Sequence, residues 1–311
     1  MQYDIVGDIH GQADKLEALL KAMGYQHKGG AYRHPSRTAI FVGDFIDRGP
    51  RQVDTCRLVR EMVDTGSAQA VMGNHEFNAV AWFMRDPQAG GEDHYLRPRH
   101  GEKGQKNRQQ HEAFLAEVED TPMHQELVDW FLTLPLWLDL PELRVVHACW
   151  HDRLISSLEP LLGQGRTLTP DLMVRASRQD DPVFEAVEAL TKGIEVPLPS
   201  GHYFHDKDGH ERRNVRIRWW EEGSDTYRDL AIMREPERQK LPDLPLNHTA
   251  KPVYDKRKPV FYGHYWMQGE PELQGSHFAC VDYSAGKGGP LVAYRWDGEE
   301  QLEPGHFVSA D

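Results

Sequence analysis

Three short blocks put acids, an amide and imidazoles between glycines: Gly7-Asp8-Ile9-His10-Gly11, Gly43-Asp44-Phe45-Ile46-Asp47-Arg48-Gly49-Pro50 and Gly73-Asn74-His75-Glu76. Asp8 and His10 are two apart, so in extended chain they point the same way and can hold one cation together. Asn74 and His75 are adjacent and point apart, so one can ligate while its neighbour faces a substrate. Further on, Val145-Val146-His147-Ala148 and Val260-Phe261-Tyr262-Gly263-His264 each deliver a histidine after an apolar run. Asp8, His10, Asp44, Asn74, His147 and His264 make a mixed oxygen and nitrogen donor set without thiolate, suited to manganese, iron or zinc rather than calcium. Asp44 is the natural bridge, since its two oxygens can hold two cations ~3.5–4 Å apart. Singly, Gly-Asp and Gly-Asn pairs serve as ordinary turns and helix caps; three such blocks at successive strand ends point to a site.

The elements that must position these blocks follow from periodicity. Tyr3 to Val6, Thr38 to Val42 and Ala68 to Met72 read as buried strands, each followed by a turn and a helical pattern. That alternation implies an α/β fold with parallel strands, whose carboxyl ends share one crevice. Leu136–Leu140, Leu143–Val146, Pro259–Tyr262, Phe278–Val281 and Leu291–Trp296 supply the remaining strands. Residues 85–112 carry no periodicity and read as a long loop or cap insertion. A second insertion spans about 160–258, with one helix near Val183–Leu190 and the alternating residues Val215, Ile217 and Trp219. The whole of 1–311 is expected to be one domain. Histidines outside the blocks, including His94, His100, His111, His151, His202, His205 and His210, lie in polar stretches and are expected to be solvated.

Composition narrows the partners. Basic residues number 36 and acidic 49, a net charge of −13, which repels nucleic-acid polyanions except where cations gather locally. Cys56, Cys149 and Cys280 lie far apart without a C-x-x-C pair, so a disulfide framework is not expected and the compartment reads as reducing. No apolar run reaches the ~18 residues needed to cross a bilayer. The expectation is a cytoplasmic protein without membrane or general nucleic-acid binding.

The blocks GDIHG, GDFIDRG and GNHE, in that order with His147 and His264 behind them, resemble the phosphoprotein-phosphatase-like branch of the calcineurin-like metallophosphoesterases. The resemblance covers residues 1 to about 84, 136–150 and 259–297. It implies a β-sandwich flanked by helices, with the insertions forming a cap. It implies Asp8, His10 and Asp44 on one metal ion and Asp44, Asn74, His147 and His264 on the other, manganese first, with iron or zinc as alternatives. It implies His75 as general acid oriented by Asp47, Arg48 on the phosphoryl oxygens, and a metal-bridging hydroxide attacking phosphorus in line. A second phosphate-binding arginine is expected between the last two histidine blocks, and Arg216 or Arg218 fits. Met72 before Gly73, and Ala148-Cys149 after His147, resemble smaller bacterial phosphatases and symmetrical dinucleoside tetraphosphate hydrolases. Asp47, which those hydrolases usually lack, tilts the expectation towards phosphomonoesters on a phosphoprotein, nucleotide or small phosphate ester. A dinucleoside polyphosphate or other nucleotide hydrolase is the alternative, and a non-catalytic metal-binding protein the remote one.

Overall fold

The structure, a computed structural model, describes residues 1–90, 94–206, 209–247 and 250–311. The elements run β1 (Gln2–Val6), α1 (Ala13–Ala22), β2 (Gln26–Lys28), β3 (Ala31–Arg33), β4 (Arg37–Phe41), α2 (Gln52–Asp64), β5 (Ala68–Ala70) and α3 (Asn74–Phe83). Three helices follow, α4 (Gly101–Gln110), α5 (Glu112–Val118) and α6 (Pro122–Phe131), then β6 (Trp137–Asp139), β7 (Arg144–Val146), α7 (Asp152–Leu158), α8 (Pro170–Ala176) and α9 (Pro182–Lys192). The second insertion adds β8 (Glu195–Pro197), β9 (Phe204–His205), β10 (Glu211–Arg212), β11 (Asn214–Arg216) and α10 (Tyr227–Leu230). The chain closes with β12 (Val260–Tyr262), β13 (Phe278–Cys280), β14 (Leu291–Trp296) and β15 (Phe307–Ala310).

Two sheets face each other. One has the order β15-β14-β1-β4-β5, the other β13-β12-β7-β6. Strands β1, β4 and β5 are mutually parallel, as are β7, β12 and β13, while β14, β15 and β6 are antiparallel additions. The inner faces meet through Ile5, Ile40, Val42 and Val71 from the first sheet and Val145, Phe261, Ala279 and Val281 from the second, all fully buried. Alternate residues of the same strands, Val6, Phe41, Val146, Tyr262 and Cys280 among them, face outward into a larger core covered by helices. Period-two alternation with both faces apolar thus gives a sandwich flanked by helices.

Both insertions contain more structure than their sequences announce. Residues 85–112, without periodicity and expected as a long loop or cap insertion, include α4, whose sequence GEKGQKNRQQ buries only Gly104 and Asn107. A helix with no apolar stripe leaves no periodic trace. The stretch 160–258 has a small apolar core of its own, built on Val196, Leu198, Val215, Ile217, Leu230 and Leu246. Trp219 and Trp220 fasten it to the main core through Tyr262 and Tyr265.

Candidate metal centre

The parallel strands of both sheets deliver the site. Asp8 and His10 follow β1, Asp44 follows β4, Asn74 opens α3 behind β5, His147 follows β7 and His264 follows β12. The turns are backbone-strained: His10, Asp44, Asp47, Arg48, His264 and Trp266 have φ of 49°, 54°, 73°, 75°, 72° and 53°. Non-glycine residues adopt that region rarely, at a cost of ~1–3 kcal/mol each. Glu76 holds the Asp44 turn in place. Its carboxylate accepts from the backbone N–H of Asp44 (2.8 Å), Phe45 (2.8 Å) and Gly73 (3.0 Å), and it is fully buried. Glycine is needed where carboxylates crowd in. A Cβ on Gly263 would lie 1.9 Å from Asp8 Oδ1, and one on Gly73 2.2 Å from Asp44 Oδ1.

Hydrogen bonds fix which atom of His10 and of His147 faces the centre. His10 Nδ1 donates to the Ile46 carbonyl (2.8 Å) and His147 Nδ1 to the Val42 carbonyl (2.7 Å), so each ring turns an Nε2 lone pair inward. His147 Nε2 then lies 3.4 Å from Asp44 Oδ1 and 3.2 Å from Asn74 Oδ1. His10 Nε2 lies 3.6 Å from Asp44 Oδ2. Asn74 Oδ1 also meets His264 Nδ1 at 2.9 Å. Asp8 Oδ2 accepts from the His264 backbone N–H (3.0 Å), whereas Asp8 Oδ1 and His10 Nε2 are buried without a hydrogen-bond partner. Acceptors that converge in a buried space need a positive charge between them.

The electrostatics agree. Burial, with Asp282 and Asp44 nearby, pushes the Asp8 carboxyl well above its usual range. Burial, helped by the neighbouring His75, takes His10 down to about 3, and burial with Arg216 and His147 takes His264 down as well. Both rings are neutral, the form that ligates. The donor atoms of His10, Asp44 and His75 lie within 4.8 Å of one another, as do those of Asp44, His147 and His264, so Asp44 belongs to both groups. This donor set fits two divalent cations, one for each group, with Asp44 common to both.

A buried acid assembly adjoins the donors. His75 Nδ1 donates to Asp47 Oδ2 in a short contact, and its Nε2 points to the centre, 3.8 Å from Asp44 Oδ2. Burial disfavours the His75 cation, but Asp44 and Asp47 outweigh it and the ring's pKa is raised. Arg48 lies over the Trp266 ring, 3.8 Å from its centroid, beside His10, which stacks on the same indole. Of the two expected insertion arginines, the structure brings one to the centre. Arg216 Nη1 lies 3.2 Å from His264 Nε2, and its Nη2 donates to Glu195 (2.9 Å). Arg218 turns away, onto the Asp229 carbonyl and towards Glu221. The alternation had left both on one face, but past the end of β11 Ile217 bridges Ala231 and the Arg218 N–H bonds the Leu230 carbonyl, so the Arg218 guanidinium stays with the 229–231 segment.

A family model described as calcineurin-like phosphoesterase matches residues 1–182, more than half of the chain. The chain belongs to this family. Members use a dinuclear metal centre, and the groups that meet at Asp44 are the candidates to hold one in this phosphoesterase. The asymmetrical bis(5'-nucleosyl)-tetraphosphatase PrpE of Halalkalibacterium halodurans is 49% identical over 76 residues, 24% of this chain and 31% of that protein. The protein of the same name from Bacillus cereus is 32% identical over 154 residues, 47% of this chain and 56% of that one. The phosphoesterase thus spans about a third to about half the length of the curated relatives it matches. A serine/threonine phosphatase of Saccharomyces cerevisiae with similarity to human phosphatase PP5 superposes over 100% of this chain and 80% of that one, with TM-score 0.50 and 13% identity, a likeness of fold alone.

Two histidines expected in solvent are buried. His151 is 9% exposed at the start of α7, and His111 is fully buried with Nδ1 2.8 Å from Asp47 Oδ2. His111 was missed because 64 residues separate it from its partner and the helix before it has no apolar stripe, although Phe114, Leu115 and Val118, three, four and seven residues on, mark the buried face of α5 that it begins. Asp282 was missed as well. Its buried carboxylate accepts from the N–H of Ser284 (2.9 Å) and Trp266 (2.8 Å), which sets the indole under Arg48.

Proposed function

We propose that the protein is a cytoplasmic, dinuclear-metal-dependent phosphoesterase acting on dinucleoside polyphosphates, with manganese as the first candidate metal and iron or zinc as alternatives. Asp8, His10 and Asp44 hold one cation, and Asp44, Asn74, His147 and His264 the other. When bound, such a pair would lower the pKa of water to supply the nucleophile and would neutralise charge on the phosphoryl oxygens. His75 gives its Nε2 proton to the leaving oxygen while Asp47 keeps its Nδ1–H in place. Arg48 and Arg216 grip the phosphoryl oxygens from the His10 and His264 sides; a guanidinium suits that task because it donates two parallel bonds.

The substrate preference reverses the tilt towards monoesters. Asp47 serves a His75 acid whichever ester is cleaved, so it does not separate the two classes. The observation that carries the reading is the spread of cations on both sides of the centre. Lys287 shares the Trp266 ring with Arg48, its Nζ 3.7 Å from the centroid. On the other side Lys192, part-buried and paired with Glu188, lies within Coulombic reach of Arg97 and Arg216. Arg216 Nε and Arg97 Nε are buried without partners. A monoester needs few of these charges; a chain of phosphates can use more of them, drawing Arg216 and Lys192 from Glu195 and Glu188. The names of the two bacterial relatives point the same way. The buried, free cysteines fit a reducing compartment.

The test is a substrate screen of manganese-loaded protein against diadenosine tetraphosphate, p-nitrophenyl phosphate and a phosphoserine peptide. The expected result is a kcat/KM on diadenosine tetraphosphate at least roughly tenfold above the other two, which corresponds to about 1.4 kcal/mol of extra transition-state binding. A preference for the peptide or the aryl ester overturns the substrate class and restores the monoester reading; no turnover on any of them favours a metal-binding protein.

A further inference from the structure

Among the described residues, His111 is the one buried histidine in contact with the acid assembly that the metal ligands and the proposed chemistry leave without a task. Its Nδ1 lies 2.8 Å from the same Asp47 oxygen that receives His75 Nδ1, and the two imidazoles meet edge to face with centroids 6.3 Å apart. A carboxylate oxygen only accepts, so both rings carry Nδ1–H and His111 Nε2 is a lone pair; that atom is buried and has no partner. Burial, with Arg97 close by, lowers the His111 pKa and keeps the ring neutral.

The surrounding chain is built to hold His111 there. It stands at the corner where α4 ends and α5 begins. That corner is tied to the Asp47 turn at a second point, because Glu117 of α5 accepts from the N–H of Gln52 (2.8 Å) and Val53 (2.9 Å) at the start of α2. Gln52 in turn accepts from the Asp47 N–H (2.6 Å) and donates to the Gly49 carbonyl (2.6 Å). Asp47 and Arg48 sit at positive φ, so this turn needs outside contacts to keep its shape.

We propose that His111 is a positioning residue: its Nδ1–H fixes the Asp47 carboxylate so that His75 presents its Nε2 proton to the leaving oxygen. The inference rests on the proposed acid role of His75. The bookkeeping of protons is simple. His75 gives up one proton at Nε2, the leaving oxygen gains it, and the Nδ1 protons of His75 and His111 stay on their rings. The first insertion is then part of the acid machinery and not only a cover.

The experiment compares phenyl phosphate, whose leaving group needs the proton, with p-nitrophenyl phosphate, whose leaving group does not. Three variants of the full chain are used. His111→Asn places an amide N–H where ring Nδ1 was, His111→Gln places it where Nε2 was, and His75→Ala removes the acid. Expected for His111→Gln is a kcat on phenyl phosphate down roughly tenfold or more, with KM and the p-nitrophenyl phosphate rate within about twofold. His111→Asn restores most of the lost kcat, and His111→Gln adds nothing on the His75→Ala background. Equal behaviour of Asn and Gln, or equal losses on both substrates, overturns the positioning role while the acid role stands. Equal losses on both substrates in His75→Ala overturn the acid role itself, and the inference with it.

Discussion

Replacing Glu76 by Gln changes one atom and should unsettle the whole centre. The carboxylate takes three backbone N–H bonds, at 2.8, 2.8 and 3.0 Å, in a fully buried place. An amide has one acceptor oxygen. If that oxygen stays with Asp44 and Gly73, the new NH2 faces the Phe45 N–H, donor against donor. The stranded N–H costs ~1–3 kcal/mol, and the two surviving bonds lose their charge assistance, at ~1 kcal/mol each. The total is about 3–5 kcal/mol, concentrated on a turn whose Asp44 already sits at φ 54°. With a urea slope of ~1–3 kcal/mol per molar, the midpoint of metal-free protein should fall by at least about 1 M. Tryptophan fluorescence in urea reads that shift, and metal analysis at equilibrium reads the accompanying loss of affinity. A Glu76→Gln protein with its urea midpoint within about 0.3 M of wild type and full metal content would refute the claim that this carboxylate holds the Asp44 turn.

Three further outcomes are expected. Asp44→Asn keeps one acceptor and cannot bridge, so turnover should fall to background and metal content from near two ions per chain towards one; normal turnover would sink the dinuclear reading. Arg216→Ala should lower kcat/KM roughly 10–100-fold on every phosphate ester, the kinetic equivalent of one charge-assisted bond of ~1.5–3 kcal/mol, with Arg216→Lys recovering little. Arg218→Ala should stay within about threefold, and the reverse ranking would reassign the second clamp. Gly263→Ala forces a methyl to within 1.9 Å of Asp8 Oδ1, so calorimetric metal binding should weaken by at least about tenfold; unchanged affinity would remove Asp8 from the ligand set.

What could be read from the sequence divides along physical lines. The site-bearing strands announce themselves because each is an apolar run stopped by a polar, glycine-rich turn, and the donor atoms sit within a few residues of that stop. His147 and His264 were legible for the same reason: Val145-Val146 and Phe261-Tyr262 are buried strand residues and the histidine comes directly or two residues after. Side chains that reach the centre from elsewhere left no such mark. Arg216 and Arg218 share a parity, and only the end of β11 separates them. His111 lies beyond α4, a helix without an apolar face. Asp282 follows a buried strand as the ligands do, two residues after Cys280, and that signal could have been used. The edge strand β15 is only half-buried, so its alternation is faint.

The proposed ligand set is divided between the two sheets, and that division would tie metal binding to the core. Asp8, His10, Asp44 and Asn74 come from the β1, β4 and β5 ends, whereas His147 and His264 come from β7 and β12. Several hydrogen bonds that close the upper edge of the sandwich are made by these residues: His147 Nδ1 to the Val42 carbonyl, the His264 N–H to Asp8 Oδ2, and the Gly263 N–H to the His147 carbonyl (2.8 Å). Below them, Ile40, Val42, Val145, Phe261 and Val281 are fully buried, each contributing ~1.5–3 kcal/mol by leaving water. That apolar contact sets the spacing between the sheets, and the spacing sets whether His147 Nε2 meets Asp44 Oδ1 at 3.4 Å. Coordination geometry tolerates deviations of only ~0.2 Å. A packed interior, which deforms little, is therefore the element that holds the two halves of the centre in register, and the strained turns can keep their unusual φ angles because the strands beneath them cannot move apart.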